Sequence, residues 1–180
     1  MTSRKARSRR SGLLVLALSA AVLAVGIAAM ALSGGSDAGR LQPSSTTTVE
    51  TPLAADEAGT WGVDLPRNPT RSDIIVKSVE PIDPQGLAIL GMTMTNPLVA
   101  GGVVAVRGYP PPWLATFPIE GSVLSPSGGP SPQLQVLIGV QLAEGSKRGT
   151  IQGLRVRYAI DGREYEVVLP YSFSLVLPAS

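Results

Sequence analysis

The chain has 180 residues, enough for one ordinary domain with additions. It contains no Cys and no His, which excludes disulfides, thiolate chemistry, Cys or His zinc sites and histidine acid–base catalysis. The formal charge is +2, but five of the 15 Lys/Arg lie in residues 1–11. From residue 34 on, 10 Lys/Arg face all 13 Asp/Glu, a balance of −3. No basic stripe falls on the part expected to fold, so nucleic acid is not an expected partner.

Arg4, Lys5, Arg7, Arg9 and Arg10 make residues 1–11 a basic tail without an acid. Gly12 to Leu32 (GLLVLALSAAVLAVGIAAMAL) is then a run of 21 uncharged residues. As a helix it would be about 31 Å long, close to the hydrocarbon thickness of a bilayer. Cations flanking such a segment stay on the cytoplasmic side, so the sequence predicts an extracytoplasmic C-terminal part. The length favours an uncleaved signal-anchor over a signal peptide cleaved after Ala31 at Ala29-Met30-Ala31, because signal h-regions are shorter. A buried core segment is disfavoured by the flanking charge and the N-terminal position. Ser8-Arg9-Arg10-Ser11-Gly12-Leu13-Leu14 has the arginine pair of a twin-arginine signal but lacks its usual aromatic. No Cys follows the apolar run, which excludes a lipoprotein anchor.

Residues 33–60 are rich in Ser, Thr, Gly, Ala, Pro and acids and have no apolar period. Such composition buries too little to offset ordering entropy, so this stretch is expected to be a flexible linker with a span on the order of 30 Å.

From Trp61 to residue 180 the pattern changes to period two, predicting an extracytoplasmic β-domain. Asp73–Glu80, Gly86–Thr95 and Gly102–Arg107 read as strands, and Gly121–Leu124 as a short edge strand between Pro118 and Pro126. In Leu134–Leu142, apolar residues at 134, 136, 138, 140 and 142 predict a half-buried strand. Gln152–Ile160 and Arg163–Leu175 follow, joined by Asp161-Gly162, whose residues suit the positive φ angles of a type I′ turn. That turn fixes a register of Tyr158 with Tyr165, Val156 with Val167 and Arg157 with Glu166. About seven short strands and no helical period predict an all-β fold, an antiparallel β-sandwich of about seven strands preceded by one transmembrane helix.

Strand count, the LRVRYAIDGREYEVVLP hairpin and the tail–anchor–linker layout resemble small bacterial single-pass membrane proteins carrying one immunoglobulin-like or fibronectin-III-like ectodomain. The resemblance spans roughly residues 70–177 and implies architecture alone, since fold does not fix function.

Between Gly102–Arg107 and Gly121 lies Gly108-Tyr109-Pro110-Pro111-Pro112-Trp113. Three prolines impose polyproline II between two aromatics. As a binding element, Tyr109, Pro110, Pro111, Pro112 and Trp113 would form a stiff, aromatic-tipped loop that docks on a partner. The plainer account is a crossover in which Trp113, Leu114 and Phe117 close the core edge. Met92 and Met94 have the spacing of a thioether copper site, but strand residues two apart share a face, here with Ala88 and Leu90, so both are expected in the core. The acids are scattered, no calcium loop is visible, and no G-x-S-x-G or S-x-x-K is present. No catalytic, cofactor-binding or metal-ligating residue is therefore assigned. The expected function is a membrane-tethered, non-enzymatic binding module for an envelope protein. An anchored enzyme with an unrecognised carboxylate site, a secreted form and a copper carrier are the alternatives.

Overall fold

The computed structural model describes residues 41–42, 47–97, 105–127 and 133–178. The basic tail, the apolar segment 12–32 and most of residues 33–46 lie outside them. No helix among the described residues is long and apolar enough to cross a membrane.

The described part is all-β and sandwich-like, with eleven strands: β1 (Thr47–Pro52), β2 (Gly59–Asp64), β3 (Ile74–Ile82), β4 (Leu87–Thr95), β5 (Ala105–Arg107), β6 (Val123–Leu124), β7 (Gln135–Leu142), β8 (Arg148–Ile151), β9 (Gly153–Ile160), β10 (Arg163–Leu169) and β11 (Tyr171–Val176). They form sheets ordered β10-β9-β3-β6, β4-β7-β2-β5 and β1-β11-β8. The expected count of about seven is corrected to eleven. β1, β2 and β8 are additional, and the expected strand 163–175 is two strands in different sheets, split at Pro170. The expected all-antiparallel pairing is corrected as well, since β1 runs parallel to β11.

The β9–β10 hairpin has the register the turn predicts, with Tyr158 opposite Tyr165, Val156 opposite Val167 and Arg157 opposite Glu166. Asp161 and Gly162 both take positive φ, 49° and 78°. Tyr158 and Tyr165 stack at 5.7 Å on the inner face. On the outer face Arg157 pairs with Glu166 at 3.2 Å, and Arg155 and Glu80 complete a four-charge cluster. β6 is an edge strand, as the prolines around it predict.

One core joins the sheets. Trp61 on β2 stacks on Phe173 of β11 at 4.8 Å, and Ile138, Val140, Val76, Leu154 and Leu175 belong to the same buried cluster. Each fully buried aliphatic side chain contributes about 1.5–3 kcal/mol. The ordered body begins earlier than the period-two pattern suggests. β1 and the start of β2 fall inside the 33–60 stretch, and Leu53 is buried. Leu41 is 2% exposed, and its backbone N–H donates to the hydroxyl of the fully buried Tyr158 at 3.2 Å.

β7 departs from the half-buried expectation. It lies between β4 and β2, and Leu137, on the face expected to be polar, is wholly buried. Something must cover that face, and the covering segment is the proline-rich loop.

Candidate interaction surface

The loop begins where β5 ends, at the edge of the β4-β7-β2-β5 sheet. The Gly108 N–H donates to the Ala58 carbonyl at 2.7 Å, and the Thr60 hydroxyl donates to the Gly108 carbonyl. Gly108 has φ of 82°, which redirects the chain across the sheet. Tyr109 then sits over Gly91 and Gly139, which are cross-strand partners on β4 and β7. Two facing glycines leave a slot in the outer face, and the phenol ring fills it. The Tyr109–Pro110 peptide is cis and Pro111 is buried.

The chain reaches the far edge at β4. Met94 and Phe117 exchange backbone hydrogen bonds of 2.9 and 3.0 Å. Thr93 and Thr95 add hydroxyl bonds to the carbonyls of Phe117 and Ala115, at 2.8 and 2.9 Å. Residues 108–117 thus form a strap across the sheet, fastened at both edges. Between the fastenings, Trp113 is 61% exposed and Pro110 and Pro112 are exposed.

The candidate residues divide accordingly. Tyr109 and Pro111 pack, whereas Pro110, Pro112 and Trp113 face solvent. Trp113 and Phe117 do not close the core edge; Tyr109 does the covering. Burial raises the Tyr109 pKa above the ordinary 10.0, which favours the neutral phenol in this packing position.

Other sequence candidates are dispersed. Met94 is buried in the core and Met92 is half-buried against it. Ala88 and Leu90, expected to share their face, are exposed instead. A bulge between Ile89 and Gly91 shifts the phase of β4, so Leu87 and Ile89 turn to the core. Among the described residues, no three Asp, Glu, His or Cys converge into a metal-binding group. The fully buried Asn68 is a residue that sequence reasoning missed. Its amide donates to the carbonyls of Ser72 and Leu124 at 2.8 and 2.6 Å, and its oxygen accepts from the Thr70 N–H at 2.9 Å. Both amide hydrogens and the amide oxygen thus have partners within the protein, and its role is to tie the 65–72 turn to β6.

No family model matches the chain, and no curated protein matches it. Among solved structures, it is similar to part of a family 123 glycoside hydrolase from Clostridium perfringens, studied for glycolipid glycan hydrolysis. The identity is 13% and the TM-score 0.29, over 81% of this chain and 27% of that one. The chain therefore spans roughly a quarter of that enzyme's length, and a likeness this slight carries no argument about activity.

Proposed function

We propose that the chain is a membrane-tethered, non-enzymatic binding module of the cell envelope. In this reading the apolar segment 12–32 holds an immunoglobulin-like β-body outside the bilayer, and Trp113 meets an envelope protein. The observation that carries the reading is an exposed tryptophan on a strap whose neighbours are fixed. Trp is enriched at the energetic centres of interfaces, and a preorganised loop loses little entropy on binding. The charge asymmetry around residues 12–32 supports the orientation.

Leu41 already belongs to the core, so the tether reduces to Ser33–Arg40, eight residues (33 to 40 inclusive) rather than the whole 33–60 stretch. Fully extended, it reaches about 28 Å. The partner is therefore sought at the membrane surface. The test is capture of crosslinked partners by the full-length chain in envelope membranes, compared with a Trp113→Ala variant. The reading predicts loss of a specific partner from the variant, and identical partner sets would remove the strap as the binding element.

A further inference from the structure

A second feature lies on the opposite side of the β2–β5 edge from the strap. A cavity of about 290 Å³ opens where the β1-β11-β8 sheet diverges from β2 and β5. Its walls are mainly apolar: Leu53 beside β1, Val140 on β7, and Phe173 and Leu175 on β11. The space exists because β2 carries a glycine here. Gly59 sits opposite Val140 on one side and Arg107 on the other, and a Cβ on it would point at Leu53, 3.0 Å away. Cross-strand partners share a face, so Arg107 projects from the cavity side of the edge strand. Its guanidinium stands at the exposed rim, 3.3 Å from Glu57.

This combination has a chemical meaning. An apolar hole alone stays dry or fills with hydrocarbon. A guanidinium at its mouth adds a fork of five donors, of which Glu57 meets one edge, and that fork matches a carboxylate. At about 30 Å³ per heavy atom, the volume share of a liquid water, the cavity holds on the order of ten heavy atoms. We propose that the cavity binds a free medium-chain fatty acid, its alkyl chain between Leu53, Val140 and Leu175 and its carboxylate on Arg107. This site is separate from the protein-binding strap and does not depend on it.

The test uses the full-length chain in lipid nanodiscs and a decanoic acid analogue bearing a diazirine near its methyl end. After photolysis, labelled residues are mapped by peptide mass spectrometry, with free decanoate, decanol and a decanoyl phospholipid as competitors. The proposal predicts saturable labelling in 51–53, 105–107 and 173–175, competed by decanoate and not by the phospholipid. Ala105→Leu, which fills the cavity from its edge, should abolish that labelling while the circular-dichroism spectrum stays β-type. Arg107→Gln should weaken competition by decanoate about tenfold and leave that by decanol unchanged. Labelling confined to residues 12–32 and to exposed apolar side chains, or cavity labelling unaltered by Ala105→Leu, overturns the proposal. Labelling equally competed by the phospholipid overturns it too, because the occupant is then a membrane lipid and not a free acid.

Discussion

The ring of Tyr109 lies so close to Gly139 that a Cβ on this glycine would stand 2.3 Å from two of its carbons. A Cβ on Gly91, which pairs with Gly139 across the strands, would stand 3.0 Å from the hydroxyl of the same ring. The strap's path is therefore written into two positions of the sheet beneath it. A side chain at position 139 forces the ring to shift, and one at position 91 crowds it.

Gly139→Ala is expected to destabilise the fold by about 1–3 kcal/mol through overpacking. Tyr109→Ala removes the ring that the new methyl would strike. The double variant should therefore lose less than the sum of the two single losses. Urea unfolding of the four proteins measures the coupling. Strict additivity would mean that ring and glycine do not share the space described.

The raised pKa of Tyr109 sets a direction for alkaline stability. The fold favours the neutral phenol, so this contribution is fully present below pH about 10, the ordinary tyrosine value. It declines as pH rises toward and through the raised folded-state pKa. The stability difference between the wild type and Tyr109→Phe should therefore shift against the wild type above that pH. Thermal melts across the range read the effect, and parallel curves for both proteins would contradict it.

Asn68→Ala removes the amide donor to the carbonyls of Ser72 and Leu124 and the acceptor for the Thr70 N–H, while the Thr70 hydroxyl still bonds the Ser72 carbonyl. A loss of about 2–4 kcal/mol is expected, in line with several buried hydrogen bonds unmade at once. Hydrogen exchange should speed up at β6 and the 65–72 turn before the rest of the body. Unchanged protection there would show that Asn68 is not the tie.

Arg155, Arg157, Glu80 and Glu166 are each partly exposed, which screens their attraction. Arg157→Ala is expected to cost less than about 1 kcal/mol, and less still in molar salt. A large, salt-insensitive loss would point to a packing role for the arginine stem instead.

The β9–β10 hairpin was legible in the sequence because its information is local: Asp161 and Gly162 supply the turn, and the turn dictates the register. The switch of sheets after Leu169 was not. Leu169 and Tyr171 keep the same phase across Pro170, and a period-two pattern reports which face a residue takes, not which strand it pairs with. β1 was hidden because Thr-Thr-Val-Glu-Thr-Pro has a single large apolar residue and is held by its parallel partner β11. The phase of β4 failed at the bulge around Leu90, for which Gly91 was the only hint. At the strap, composition marked the segment as unusual but could not say which aromatic packs. Gly91 and Gly139 decide that, and they lie 18 and 30 residues away in the chain (109 − 91 and 139 − 109).

The orientation of the β-body is the claim on which the proposed function rests, and the chain's lack of cysteine allows a clean test. Single cysteines are introduced at Lys77, exposed on β3, and at Ser3 in the basic tail, and intact cells are treated with a membrane-impermeant maleimide. The account predicts labelling at position 77 without lysis and at position 3 only after it. Labelling of position 3 in intact cells, with position 77 protected until lysis, would contradict it.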